Sequence, residues 1–275
     1  MRYVISGSKG FLGSRLIKQL LDEKVPFVEF SFNNRENKWQ EYININEDLF
    51  IHLAEPHSNI FSKKRAMNIE QELYEIAEKM GPRFIYTSSA LVYCRNNNSP
   101  KQISDPICKT DAYTELKIRR EEQISSRNGT ILRIGNVYGP GMHNKSVIRK
   151  AFLSQYNAEP FSTNSNSIRD YVFVDDVVDL LIGLQTHDLT KSGIYNVGSG
   201  QGVCVSEIVF ACMLFLGQNA KAGIYQKNFP SPSESGDVIV LRIDSSNTFP
   251  WWRPKRKFES TIPSVFESFQ EEFHK

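Results

Sequence analysis

Hydrophobic positions near the start of the chain change period twice. Tyr3 to Ser6 (YVIS) is a short apolar run, Phe11 to Leu21 carries apolar residues at helical spacing, and Phe27 to Phe32 is strand-like again. This pattern predicts a βαβ unit opening at residue 1. Asp48 to Ala54 (DLFIHLA) and Arg83 to Ser89 (RFIYTSS) read as further buried strands, with a helical segment from Asn68 to Met80 between them. Strands that alternate with helices build a parallel sheet covered on both faces, so the expected fold class is α/β. The series continues with a helix at Tyr113 to Ile124, a strand at Thr130 to Ile134, a strand at Tyr171 to Val174 and a helix at Asp175 to Leu184. Beyond residue 198 the pattern weakens. Asn219 to Asp237, rich in Pro, Ser and Gly, reads as a surface loop, while Cys204 to Leu216 and Ile262 to Phe273 read as helices. No repeat or low-complexity tail is present.

Composition narrows the partners. The 275 residues carry 33 Lys plus Arg against 31 Asp plus Glu, a formal net charge of +2, and 40% hydrophobic residues. A balanced charge disfavours binding of nucleic acid through phosphate neutralisation and favours small molecules. The longest apolar stretch, Ile208 to Leu216, has nine residues, against the roughly 20 needed to cross a bilayer. With a strand running straight into a glycine turn at the N-terminus, no signal peptide is expected and the protein is expected in the cytoplasm. Cys94, Cys108, Cys204 and Cys212 show no CxxC or other metal spacing, and such a dispersed set is expected to be reduced.

Gly7, Gly10 and Gly13 form GxxGxxG (GSKGFLG) between the first strand and its helix. Glycines there allow a tight turn, a close approach of main-chain N–H groups to a pyrophosphate and close helix–sheet packing, while the helix N-terminus attracts the anion. An acidic residue ending the second strand would hold the ribose 2′-hydroxyl of NAD, but Phe30, Ser31, Phe32, Asn33 and Asn34 occupy that region and Glu29 falls one residue or more too early. Lys9 and Arg35 are placed to meet a 2′-phosphate. The expected cofactor is therefore NADP, with NAD as the alternative.

Tyr113 and Lys117 form YxxxK on one helix face. Tyrosine's ordinary pKa of about 10 is too high for base work at neutral pH, and a neighbouring ammonium lowers it by favouring the phenolate. Ser89 ends its strand at the sheet edge where open α/β folds place ligands, so its hydroxyl is a candidate to hold a substrate oxygen beside Tyr113. No His pair has zinc spacing, and His52 and His57 read as structural or loop residues.

The succession of glycine loop, HLA strand, TSSALVY, YxxxK, LRIGNVYGPG, RDYVFVDDV and a tail GDVIVLRIDSS before WWRP resembles the extended short-chain dehydrogenase/reductase family over nearly the whole chain. Its members are NAD(P)-dependent nucleotide-sugar epimerases, dehydratases and ketoreductases. The resemblance implies a Rossmann-like doubly wound parallel sheet with a smaller C-terminal substrate-binding lobe. Residues 1–140 and 168–197 would form the dinucleotide-binding domain, 141–167 and 198–275 the lobe. It also implies that Ser89, Tyr113 and Lys117 are catalytic and that the cofactor meets Gly7, Lys9, Gly10, Phe11, Leu12, Gly13, Arg35, Leu53, Ala54, Asn68, Tyr113 and Lys117. Asn136, Arg169 and Arg242 would contact the nucleotide sugar, and two copies would pair as a dimer through the helices at 68–80 and 113–124.

Departures from the family pattern narrow the chemistry. Ala90 and Leu91 stand where dehydratases carry Asp-Glu, and no Cys stands at Ala90 for inversion beside the ketone. Roughly 16 residues separate the second strand from DLFIHLA, which shortens the adenine side. Glu234 stands where an arginine often precedes the tail GD, leaving Arg242 as the substitute at the phosphates. The expected function is a 4-ketoreductase, with a 4-epimerase retaining NAD as the alternative and a non-catalytic dinucleotide sensor as the reading of another class. The basic aromatic stretch Trp251 to Phe258 (WWRPKRKF) has two readings, nucleic-acid contact or packing with a solvated basic face, of which packing is preferred.

Overall fold

The computed structural model describes residues 1–32, 38–54, 63–95, 97–157, 167–187, 192–217 and 237–273. Its strands are β1 (Arg2–Ser6), β2 (Phe27–Phe30), β3 (Asp48–His52), β4 (Phe84–Ser89), β5 (Thr130–Ile134), β6 (Asn136–Tyr138), β7 (Ile168–Phe173), β8 (Ile194–Val197), β9 (Gly202–Cys204) and β10 (Val238–Ile239). Its helices are α1 (Phe11–Asp22), α2 (Lys63–Met80), α3 (Ala112–Ser125), α4 (Val147–Asn157), α5 (Val174–Gly183), α6 (Val205–Leu216) and α7 (Phe258–Phe273).

β1 to β5 and β8 form one parallel sheet in the order β2-β1-β3-β4-β5-β8. Both faces are covered, which explains why β3 (DLFIH) and β5 (TILRI) are buried along their whole length, their polar residues included. Tyr3, Ile5, Leu16, Leu20, Ile51, Val177 and Leu181 pack on the face of α1 and α5. Val4, Phe50, Leu73, Ile76, Phe84, Ile124 and Ile131 pack on the face of α2 and α3. This is the doubly wound α/β architecture that the sequence predicts. The chain leaves β1 toward β2 on one side and resumes at β3 on the other, so a crevice opens beyond the C-terminal ends of β1 and β3, the usual ligand position in such sheets.

A second sheet, β10-β7-β6 with β9 antiparallel to β7, packs with α4, α6 and α7 around Tyr138, Phe152, Ile208, Val265, Phe266 and Phe269. The buried Asp170 of β7 joins distant segments. Its Oδ1 accepts from Ser199 N (2.6 Å) and Ser199 Oγ (2.8 Å), and its Oδ2 from Gly200 N (3.0 Å) and Leu241 N (3.1 Å). Burial raises its pKa despite these donors. A Cβ at Gly198 would stand 2.6 Å from Asp170 Oδ2, so glycine is what admits the carboxylate there.

The WWRPKRKF stretch packs. Trp252 is buried and donates through Nε1 to Asp176 O (3.0 Å), Arg256 reaches Asp176 Oδ1 (2.7 Å) and Asp179 Oδ2 (2.9 Å), and Trp251 stacks on His187 at 3.9 Å between ring centroids. No helix among the described residues is long and apolar enough to cross a membrane.

One expectation is overturned. Cys94 and Cys108 are joined as a disulfide, with Cα atoms 4.9 Å apart, rather than separate and reduced. Their spacing carries no signal, and the pairing follows from the chain path: Tyr93 bridges Ile107 antiparallel, Cys94 N donates to Pro106 O (2.9 Å) and Cys108 N to Val92 O (2.8 Å). Cys204 and Cys212 are free. A crosslink closing a loop of this size stabilises by about 2 to 4 kcal/mol. Replacing both cysteines by serine should lower the stability measured in urea titrations by that amount, and adding a thiol reductant to the wild type should lower it similarly. Identical midpoints with and without reductant would show that the bond adds nothing.

Candidate active site

The crevice is lined first by the glycine loop. Gly7 has φ +82°, and a Cβ there would stand 2.7 Å from Ala54 N and 2.9 Å from Leu53 C, while one on Gly13 would stand 2.2 Å from Gly7 O. No other residue fits at either position. Gly10 N closes the turn onto Gly7 O (3.0 Å), and Gly10 caps α1 without a side chain, so the first main-chain N–H groups of α1, at Phe11, Leu12 and Gly13, face the crevice as an anion cradle. Leu53, held by its N–H on Ser6 O (3.0 Å), and Ala54 form the opposite wall. This backbone fits a dinucleotide pyrophosphate.

Around the adenosine end the structure adds a carboxylate. Register pairs Glu29 with Ile5, and Ser8 Oγ donates to Glu29 Oε2 (2.5 Å), which brings that carboxylate against the glycine loop. Lys9 is exposed beside it. Arg35 and Glu234 lie outside the described residues, as does His57; His52 is buried with its Nδ1 2.6 Å from Ser6 Oγ. Asn68 is exposed on α2, where it lines a shallow groove with Lys38, Trp39 and Gln40. No described contact ties it to the glycine loop.

The catalytic candidates lie on α3 and at the C-terminal end of β4. Asp111 starts α3 through a reciprocal cap: its carboxylate accepts from Thr114 N (2.7 Å), and Thr114 Oγ1 accepts from Asp111 N (3.0 Å). The Thr114 N–H holds the Asp111 carboxyl below its ordinary pKa. This cap sets Tyr113 in the first turn, where its ring is 44% exposed. One turn on, the buried Lys117 donates through Nζ to Thr87 O (2.8 Å), with Nζ 5.7 Å from the Tyr113 ring centroid and 4.9 Å from that of Tyr86. Ser89, two residues beyond Thr87, accepts from Leu91 N (3.2 Å) and caps the short turn at Ala90–Val92. Tyr113 and Lys117 thus share one face of α3, and Lys117 reaches the strand that ends in Ser89.

Behind them lies a network that single-residue motifs do not reveal. Glu121, one further turn along α3, is buried and receives Arg133 of β5 through Nη2 (2.8 Å) and Nε (3.1 Å), and Ser88 Oγ donates to its other oxygen. Arg133 also lies 4.8 Å from the Tyr93 ring centroid, and the Tyr93 hydroxyl donates to Asn196 Oδ1 (2.6 Å).

On the substrate side, Asn136 opens β6 opposite Tyr171, whose phenol pKa burial raises. Arg169 pairs with Asp237, the residue before β10, through both its carboxylate and its main-chain oxygen. Arg242 turns elsewhere: its Nε lies 2.5 Å from Asp244 Oδ2 and its side chain is 54% exposed. The sequence reading missed Asp237 and Arg95, whose Nε lies 3.1 Å from Asp237 Oδ1.

Comparison with known proteins agrees with this geometry. A model of the NAD dependent epimerase/dehydratase family matches residues 3–198. A dTDP-4-dehydro-6-deoxyglucose reductase from Escherichia coli is 22% identical, with 97% of each chain aligned. Among solved structures, a UDP-glucose 4-epimerase with UDP-glucose from Thermotoga maritima superposes with a TM-score of 0.78 at 20% identity, covering 99% of this chain and all of that one. A UDP-glucose 4-epimerase from Thermus thermophilus in complex with NAD has a TM-score of 0.74 at 20% identity, covering 98% of this chain and 99% of that one.

If Tyr113 carries the proton, Tyr113→Phe should cut turnover by about two to four orders of magnitude, the usual contribution of a positioned acid or base. Tyr113 is exposed, so the circular dichroism spectrum and melting midpoint should stay at wild-type values. Turnover within a factor of three of wild type would remove the residue from the site.

Proposed function

The chain belongs to the NAD dependent epimerase/dehydratase family, and on that premise we propose that it is a nucleotide-sugar 4-ketoreductase. The observation that carries this reading is the junction of α3 with β4: Tyr113 shares a helix face with a Lys117 fixed on Thr87 O, on the strand that ends at Ser89. A nicotinamide dinucleotide bound on the glycine loop supplies the hydride. The Ser89 hydroxyl hydrogen-bonds the ketone oxygen, the Tyr113 hydroxyl gives that oxygen its proton, and the Lys117 ammonium stabilises the phenolate left behind. Ala90 and Leu91 follow Ser89 without an acid or base, so the residues here provide for one proton at one oxygen and for no elimination of water. The relative aligned over 97% of both chains supports a 4-keto-6-deoxy sugar as the substrate. An intact hydroxyl, phenol and ammonium set argues against a mere dinucleotide sensor.

For the cofactor, Lys9 is the one cation put forward for NADP(H) among the described residues, whereas Glu29 against the glycine loop repels a 2′-phosphate and suits a free 2′-hydroxyl. The proposal therefore takes NAD(H) over NADP(H), in line with the NAD-bound relative. The same carboxylate favours a second reading, a 4-epimerase that keeps its NAD through oxidation, rotation of the keto sugar and return of the hydride. Residues 1–140 and 168–197 would hold the dinucleotide and the remaining segments the sugar nucleotide. A dimer through α2 and α3, where Met67 is exposed, belongs to the same proposal.

Purified protein should oxidise NADH when given dTDP-4-keto-6-deoxyglucose, with one NADH consumed per sugar reduced. Its preference for NADH over NADPH should narrow in Glu29→Gln. Interconversion of UDP-glucose and UDP-galactose with tightly held NAD and no net oxidation would replace the reductase with the epimerase. Inertness toward both substrate types would overturn the C4 chemistry altogether.

A further inference from the structure

Two arginines from distant parts of the chain close on one carboxylate. Arg169 Nη2 meets Asp237 Oδ2, Arg169 Nη1 meets the Asp237 main-chain oxygen, and Arg95 Nε lies 3.1 Å from Asp237 Oδ1. Ser167 Oγ donates to Asp237 Oδ2 as well (3.2 Å). Two guanidinium groups against one carboxylate leave one positive charge. The Arg95 side chain is 37% exposed, Asp237 20% and Arg169 15%, so Arg95 is the solvent-facing member. A guanidinium has five N–H donors in a planar fork, and the Arg95 approach to Asp237 is an ion pair in which Oδ1 gains no hydrogen bond.

The position of Arg95 is fixed by the residue before it. It directly follows Cys94, which the disulfide ties to Cys108 and whose N–H is bound to Pro106 O (2.9 Å). Its charge also acts on Asp111, the cap of α3 two residues before Tyr113. Asp111 is committed to the Thr114 N–H, so it does not take up the Arg95 fork. Arg95 therefore stands between the start of the Tyr113 helix and the Asp237–Arg169 pair. Arg242, the residue that the sequence puts forward for the phosphates, is occupied by Asp244 on the surface.

We propose that Arg95 is the second arginine for the substrate's diphosphate, acting with Arg169, and that Asp237 holds the two forks in place until the anion arrives. The assignment rests on the nucleotide-sugar reading above. A planar fork binds phosphate oxygens bidentately and lysine binds them as a point charge, so the two side chains are not interchangeable here.

The test is calorimetric titration of UDP, dTDP, GDP and CDP, and of uridine and thymidine, into the wild type, Arg95→Ala and Arg95→Lys, with NADH binding measured on each. The wild type should bind at least one diphosphate. Arg95→Ala should weaken that binding by roughly 10- to 100-fold, with Arg95→Lys in between, and should flatten its dependence on salt. Nucleoside and NADH binding should not change. Wild-type affinity for the diphosphate in Arg95→Ala would overturn the role of Arg95 and leave the nucleotide-sugar reading standing. Equal losses for the diphosphate, the nucleoside and NADH would mark Arg95 as a structural residue and also overturn it. A wild type that binds none of the four diphosphates at millimolar concentration would overturn both readings together.

Discussion

Two buried charges on one face of α3 hold that helix to the sheet, and the candidate active site depends on them. Lys117 is bound to the main chain of β4 at Thr87, and Glu121 is bound to Arg133 of β5 and to Ser88. A charge in such a place is costly unless it is matched, and loss of one partner from a buried pair typically costs about 3 to 5 kcal/mol. The helix consequently has little freedom to slide or rotate over the strands. Tyr113 is one turn before Lys117 and inherits this fixed position, although its own ring is partly in solvent. Ser88, the residue before Ser89, is itself part of this network. Lys117 thus both anchors the helix and takes part in the proposed chemistry, while Glu121 and Arg133 only hold the helix in place.

The cofactor side depends on a different constraint, the close approach of main chains. Gly7 and Gly13 admit contacts that a single methyl group would forbid, and these bring the start of α1 against the end of β3. The substrate side is tied in by carboxylates. Asp170 gathers Ser199, Gly200 and Leu241 around β7, and Asp237 gathers Arg95 and Arg169. The main chain of Lys101, in the loop closed by the disulfide, bridges Leu241, with Lys101 N on Val240 O (2.7 Å) and Arg242 N on Lys101 O (2.9 Å). The loop following Ser89 and the tail following Asp237 thus form one surface.

Features governed by local spacing were legible in the sequence. The glycine loop, the first strand-helix-strand unit and the pairing of Tyr113 with Lys117 all follow from periodicity and turn chemistry over short windows. Elements whose signal is short or mixed were not. β6 has three residues, β8 (IYNV) buries an asparagine among apolar neighbours, and α4 (VIRKAFLSQYN) carries its apolar face on an otherwise basic and polar segment. Boundaries also moved: β2 ends at Phe30 rather than Phe32, and β7 begins at Ile168 rather than Tyr171. Long-range contacts were hidden for a physical reason, since they depend on strand register and chain path. Glu29 reaches Ser8 only because β2 pairs with β1 in the observed register, and the disulfide exists only because Tyr93 and Ile107 lie side by side. The same holds for Arg95, Asp237 and Arg169, which no window along the chain would group together.

The central claim is that Tyr113, Lys117 and Ser89 serve hydride exchange at C4 of a nucleotide-linked sugar. Isotopic transfer tests it most directly, using NADH deuterated at C4 of the nicotinamide with dTDP-4-keto-6-deoxyglucose as acceptor and the product examined by NMR. The account predicts one deuterium per product sugar, at C4 and in one configuration. A product with deuterium at another carbon, or a reduced sugar containing none, would contradict it.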